Sequence, residues 1–421
     1  MSAVTIKKTQ RAASAGSRRS AAANRPIAIA FGDLGLIRSL GEARIPVIAA
    51  GTRPDRSAYA SRYAQKRLLL PPYESHRFVD ELLRIGPRFE QKPVLFTDND
   101  KAVLAFSRHR AALSDYYQFL LPDDTLIEDL ADKRRFARLA EEQSLPVPRT
   151  FFPATQEEFQ EAARLTNYPC ILKPAHQDLW KDERLVSGLL GGRYKKAFKA
   201  HNRQGLLDAY EQIRRFSPEL VVQEYVPGGD DHLYCLNIYL DAQGAIKGLF
   251  LGQKLRCCPV EFGMGSFVES VIDQPLINLG IQIAQRLGYR GLANLEFKKD
   301  RDSQQFKLLE INPRFNSWGY LGTYCGVNLP ARLYHDRTGQ PTAEESRPRY
   351  ATGVRWLHLK NDLKALVEYR QRGEWPLRRW LRSFSGPLTF HQFSWRDPLP
   401  ALAGCWLFIR GHLFHRPPRG A

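Results

Sequence analysis

Leu292 to Asn316 reads LANLEFKKDRDSQQFKLLEINPRFN. Two short apolar runs, Leu292 to Lys298 and Phe306 to Ile311, flank the polar segment Lys299 to Gln305, which is the pattern of a β-hairpin with a long loop. Alternation along a strand puts Asn294, Glu296 and Lys298 on one face, and Leu308, Glu310 and Asn312 on one face of the partner. A loop centred near Ser303 sets Glu296 opposite Glu310. Directly opposed residues have Cβ atoms about 5 Å apart, so two like charges there destabilise the sheet. Two carboxylates and an amide on one face require a cation between them, or a raised pKa that keeps one acid neutral. With no Cys or His in the stretch, the oxygen donors suit Mg²⁺ and not zinc. The same spacing also fits a solvated hairpin face with two unrelated glutamates. Arg314, next along, can clamp a carboxylate or a phosphate with two parallel hydrogen bonds.

Glu310 to Arg314, E-x-N-P-R after a strand, preceded by the L-E-F strand Leu295 to Phe297, resembles the metal-binding end of the ATP-grasp superfamily. Its members use ATP and Mg²⁺ to turn a carboxylate into an acyl phosphate, which an amine or other nucleophile then attacks. The resemblance makes Glu296, Glu310 and Asn312 the metal ligands and Arg314 a stabiliser of the acyl phosphate. Mn²⁺ is an alternative to Mg²⁺, and one or two ions both fit.

The chain, at 421 residues, is long enough for two or three compact units. An apolar share of 43% with 27 prolines describes a folded, loop-rich protein. The net charge of +18 invites a nucleic-acid reading, but residues 1–25 hold six basic and no acidic side chains, and residues 341–421 hold fourteen basic against six acidic. Little of the excess lies between the two ends, so no specific nucleic-acid partner is expected. The six cysteines show no C-x-x-C pair or disulfide framework and read as reduced, in a cytoplasmic protein. No run approaches the roughly 18 apolar residues that span a bilayer. Arg18-Arg19 precedes only the short run Ile27 to Phe31, a first strand and not a signal segment.

Residues 1–25 are Ala-, Ser- and Arg-rich and read as a disordered basic tail. From Pro26 the chain alternates strand and helix: Pro26 to Phe31, a helix through Leu40, Pro46 to Ala50, Val94 to Thr97, and a helix from Ala102 to Leu113. That alternation predicts a doubly wound sheet over 26–125, with Asp98-Asn99-Asp100 at a strand's C-terminal end where such sheets bind ligands. In the resemblance this unit is the domain that precedes an ATP-grasp fold, and 126–340 is the two-lobed ATP-grasp domain. The fold class is therefore α/β followed by α+β.

Asp132 is an N-cap for a helix from Lys133 to Gln143, ended by Leu145-Pro-Val-Pro. Composition alone makes Lys133 a surface residue; the resemblance of D-K-x-x-F makes it a nucleotide-phosphate ligand. Lys173 closes the apolar strand YPCILKP, where burying an unpaired ammonium is costly. By resemblance it is the second phosphate lysine. Gly188, Gly191 and Gly192 form a loop whose amides can cradle phosphates, at the place of the family's phosphate lid. LVVQEYV then runs into Pro227-Gly-Gly-Asp-Asp. By resemblance Gln223, Glu224, Tyr225 and Val226 form the adenine hinge, with Asp230, favoured over Asp231, binding the ribose. Lys254 and Arg256, two apart on one strand, can stabilise a transferring γ-phosphoryl group or sit as solvated edge charges. Ser266 lacks the G-x-S-x-G frame of a nucleophile.

The ordered set, with Ser61-Arg-Tyr-Ala and Arg256 ahead of Phe262-Gly-Met-Gly, is most similar to the predicted carboxylate–amine ligase branch, the plan shared with D-aspartate ligases. It implies an ATP- and Mg²⁺-dependent ligase acting on a small-molecule carboxylate and amine. An ATP-grasp phosphotransferase, or a polyanion- or membrane-binding protein with a vestigial nucleotide site, are the rival readings. The segment 341–421 carries Trp356, Trp375, Trp380, Trp395 and Trp406 among arginines. Packing of these tryptophans on the catalytic body is the first reading, and contact with an anionic membrane the second. His412 and His415 are too isolated for a metal site. Specificity is assigned to loops at Asp98 to Asp100, Phe262 to Ser266 and Ser317 to Cys325.

Overall fold

A computed structural model describes residues 25–54, 56–174, 197–214, 219–340, 343, 345 and 347–414. The readings made for residues 1–24, for Gly188, Gly191 and Gly192, and for His415 lie outside the described residues.

The first sheet holds β1 (Ala28–Phe31), β2 (Val47–Gly51), β3 (Ala64–Leu69) and β4 (Val94–Thr97), all parallel, in the order β3-β2-β1-β4. The runs AIAF and VIAAG are buried along their whole length, because a parallel sheet is covered on both faces. The helix Leu34–Glu42 covers one face; His76–Ile85 and Asp100–Arg108 cover the other. This is the doubly wound arrangement that the strand–helix alternation predicts.

A small antiparallel sheet follows: β5 (Thr150–Phe151), β6 (Cys170–Pro174), β7 (Phe198–Ala200) and β8 (Leu220–Glu224), ordered β5-β8-β6-β7. Cys170, Leu172, Leu220 and Val222 bury one face against the helices Gln156–Leu165 and Arg203–Ile213. Lys173 and Gln223 alternate onto the other face.

The third sheet has seven strands: β9 (Leu233–Leu240), β10 (Ile246–Cys258), β11 (Met264–Ser270), β12 (Gly291–Lys299), β13 (Phe306–Asn312), β14 (Arg355–Leu357) and β15 (Leu388–Phe390). Their order is β13-β12-β9-β10-β11-β14-β15. Along β9 the alternation is explicit. Leu236, Ile238 and Leu240 pack with the helix Gln274–Arg286, while Cys235 and Tyr239 join the core shared with Leu34, Leu36 and Ile37 of the first unit. One continuous core thus fixes the first sheet against the third. The segment after residue 340 is part of this construction, since β14 and β15 extend the sheet and Trp356 lies 1% exposed inside it. Trp380 is also buried, whereas Trp395 and Trp406 stand 88% and 61% exposed. The tryptophan-packing reading therefore holds for part of the segment and fails at its far end.

Candidate active site

The hairpin β12–β13 pairs Asn294 with Asn312 and Glu296 directly with Glu310, the opposition that the loop position predicts. Past Glu296 the register slips, leaving Leu309 outside the pairing, so that Leu308 turns into the core instead of sharing the face of Glu310. Glu310 Oε1 accepts from the Asn312 amide at 2.9 Å, and Glu296 Oε1 accepts from Lys254 Nζ at 2.6 Å. Burial opposes the Lys254 charge, yet the Glu296 carboxylate holds the ammonium well above its ordinary pKa. Beneath them Asn294 and Asn316 both donate to the side-chain oxygen of Asn237, at 3.3 and 2.8 Å, and all three are buried.

Arg314 grips Asp100 through Nε and Nη2 at 2.5 and 3.0 Å and reaches the Asn312 oxygen at 3.2 Å. Asp100 opens the helix that Asn99 caps. The end of β13 is thereby tied to the C-terminal edge of the first sheet. At that same edge the Asp33 amide donates to Asp98 Oδ2 at 2.5 Å, and burial, with Asp33 next to it, pushes the Asp98 carboxyl up to about 6.

Across from the hairpin stand the two lysines. Asp132 caps the helix Lys133–Glu142 by accepting from the Arg134 and Arg135 amides at 2.9 Å, which places Lys133 on its first turn. Lys133 Nζ donates to the Pro174 carbonyl and Lys173 Nζ to Gln223 Oε1, each at 2.9 Å. Burial, aided by the Lys133 charge, pushes Lys173 down to about 8, against the pull of Glu310. Two cations crowded in a desolvated place, with a carboxylate beyond them, form a receptor for a polyanion. A cavity of about 590 Å³ opens here, lined by Lys133, Lys173, Thr150, Gln223 and Leu308.

A second cavity, about 730 Å³, lies at the hinge and is lined by Tyr225, Gly229, Asp230, Glu261 and Arg372. Tyr225 presents its ring to Lys199 and Lys298, whose Nζ atoms lie 3.6 and 4.8 Å from its centroid. Val226 is buried, and Glu224 binds the Arg149 amide through Oε2 at 3.0 Å. Asp230 accepts from the Tyr369 hydroxyl and from the Glu261 amide, and burial raises its pKa.

Among the described residues no group of three or more His, Cys, Asp and Glu side chains could hold a metal by itself. Two opposed carboxylates and one amide form a partial, oxygen-only set. Such a set suits a hard cation that takes its remaining oxygens from a phosphate ligand.

Arg256 requires correction. Lys254 pairs with Val268 but Arg256 with Phe267, so a bulge in β10 breaks the alternation that put both on one face. Arg256 is fully buried. It donates through Nε and Nη2 to Asp362, each at 2.8 Å, lies over the Phe267 and Trp375 rings, and bonds Ser383. It holds the helix Leu359–Gln371 to the sheet and does not reach the hairpin face. Ser266 is likewise buried and donates to Asp362.

The sequence model of a family described as ATP-grasp in the biosynthetic pathway with Ter operon matches residues 263–360. The fold is similar to that of N5-carboxyaminoimidazole synthetase from Staphylococcus aureus complexed with ADP. The TM-score is 0.58 at 15% identity, over 84% of this chain and 87% of that one. The fold is the ATP-grasp fold. An L-amino acid ligase from Bacillus licheniformis shares the fold at a TM-score of 0.54 and 14% identity, over 77% of this chain and 78% of that one. In sequence this chain is 27% identical over 311 residues to a D-aspartate ligase of Enterococcus faecium (strain Aus0004), covering 70% of the chain and 72% of the relative.

Several residues that shape the candidate site carry no sequence signal. Tyr369, 139 positions from Asp230, follows no motif. His391 reaches Asp33 at 3.1 Å from the far end of the chain.

Proposed function

We propose that this protein is a ligase that joins a small-molecule carboxylate to an amine, with ATP cleaved to ADP. The carboxylate oxygen attacks the γ-phosphorus and ADP leaves; the amine nitrogen then attacks the acyl carbon and phosphate leaves. The observation that carries the reading is the direct Glu296–Glu310 opposition facing the Lys133–Lys173 pair. Lys254 offsets part of the charge of that acid pair, and a cation carried in with a polyanion that the two lysines hold would offset the rest. The resemblance to a D-aspartate ligase and an L-amino acid ligase supports the same reaction class.

In this reading Lys133 and Lys173 hold the phosphates, the backbone from Gln223 to Val226 faces the adenine, and Asp230, kept in place by Tyr369, meets the ribose. Glu296, Glu310 and Asn312 would hold Mg²⁺, or Mn²⁺ with the same donor preference, and the ion would supply charge neutralisation for the transferring phosphoryl group. Lys254, fixed by Glu296, adds a positive charge at the hairpin face. Arg314 orients the carboxylate end of the substrate, with its fork held by Asp100.

The test is Mg²⁺-dependent ADP release across pooled carboxylates and amines with hydroxylamine present, and Glu310→Ala as control. A trapped hydroxamate that disappears in the variant is expected, and it names the carboxylate. ADP release with a stable phosphorylated product would replace the ligase with a phosphotransferase. Absence of both turnover and nucleotide binding would overturn the reading.

A further inference from the structure

The helix Leu399–Phe414 begins LPALAGCWLFI, eleven residues without a charged side chain. A helix that is apolar around its whole circumference needs cover on every side. Here one side has it. The helix packs on the turn Ser57–Ala60 of the first unit, and Gly404 faces Ser57 and Gln392 closely enough that a Cβ would lie 3.8 and 3.3 Å from them. On the other side Leu399, Leu402, Trp406 and Ile409, spaced three, four and three residues apart, are 52%, 65%, 61% and 46% exposed. That spacing draws one stripe along a helix, directly away from the Gly404 side. Trp395 precedes it, resting its edge on Phe393 while most of its ring is bare.

The charge that flanks the stripe along the sequence is mostly of one sign. From Trp375 onward the sequence holds seven arginines and a single acid, Asp397. Asp397 is buried against Arg38, so it offers no negative charge to the surface. Arg396 is exposed beside Trp395, and Arg410, Arg416 and Arg419 follow in the sequence. An apolar stripe bearing Trp and Leu, flanked along the sequence by arginines, complements the interface of a bilayer with anionic headgroups. No helix among the described residues is long and apolar enough to cross a membrane, so this one would lie in the plane. Nucleic acid would use the arginines but leave the leucines and isoleucine uncovered.

We infer that the stripe Leu399, Leu402, Trp406 and Ile409, with Trp395, docks the enzyme on an anionic phospholipid surface, with the active-site body carried above it. The test uses the full chain with vesicles of phosphatidylcholine alone and of phosphatidylcholine with phosphatidylglycerol, at low and high salt. Wild-type protein is expected to sediment with the anionic vesicles, less at high salt. L402S/W406S, both at exposed positions, should weaken partition by about tenfold or more while keeping ADP release in solution and the melting temperature. A variant that partitions like wild type would overturn the inference, as would absence of sedimentation with either vesicle. It is equally overturned if L402S/W406S abolishes a dimer seen by analytical ultracentrifugation while vesicles bind neither protein, for then a second copy covers the stripe. Retention on RNA without vesicle binding would also overturn it.

Discussion

Lys173 and Lys254 are the same residue type put to opposite states by their neighbours. Lys173 is pushed down to about 8 by burial and by Lys133, whereas Glu296 carries Lys254 well above the ordinary value. In the ligand-free chain Lys173 loses its proton as pH rises through about 8, while a bound phosphate keeps it protonated. Binding above that pH must therefore take up a proton, and nucleotide affinity should fall by up to about tenfold per pH unit. Calorimetric titration across this range checks the slope, and Lys173→Arg, which stays charged, should flatten it. The unfolded lysine titrates higher than the folded one, so the free chain should also gain stability as pH rises from 8 toward the ordinary lysine pKa. Arg256 and Lys254 form a second contrast. Asp362→Ala would leave the Arg256 charge buried without its partner and should cost about 3–5 kcal/mol of stability, read as a lowered denaturation midpoint. The KM for ATP of the fraction still folded should stay unchanged. Lys254→Met should instead lower kcat. That both are cationic was plain from sequence; which of them faces the reaction was not.

At the scale of elements, periodicity carried most of the reading. The hairpin with its Glu296–Glu310 opposition, the capped helix from Lys133 and the strand ending in Lys173 all follow from alternation and capping within a few residues. Local rules work there because the forces are local. They fail at β10, where the bulge beside Arg256 is imposed by pairing with β11 and by the helix Leu359–Gln371 above it. No residue in the run GQKLRCC announces an extra position. The capped helix supplies a prediction at this scale. Asp132→Ala removes the acceptor of the Arg134 and Arg135 amides and should cost about 1 kcal/mol, fraying the turn that presents Lys133. Steady-state kinetics should then show a raised KM for ATP with a smaller change in kcat, and circular dichroism should show the overall helix content nearly intact.

Over the whole molecule, the segment after residue 340 is bound to the body by buried ion pairs. Arg256 meets Asp362, and Arg38 donates to Asp397 Oδ2 at 3.0 Å and to the His391 carbonyl at 2.9 Å. Ser61 and the Arg62 amide also donate to Asp397, each at 2.8 Å. Asp397→Ala should strand the Arg38 charge at a cost of about 3–5 kcal/mol. Limited proteolysis should show earlier cleavage between residues 384 and 399 than in wild type, since that stretch loses its anchor to the first unit. From the sequence alone came the order of parts, the doubly wound first unit, the opposed carboxylates and the two lysines, because strand alternation, helix capping and charge pairing act over a few neighbouring residues. Only the tertiary structure decided that Arg256 is an internal clamp, that Tyr369 and His391 come to Asp230 and Asp33, and that two tryptophans of the last segment stay in solvent. Those outcomes depend on contacts between residues more than a hundred positions apart, and on which faces are left over once the cores have closed.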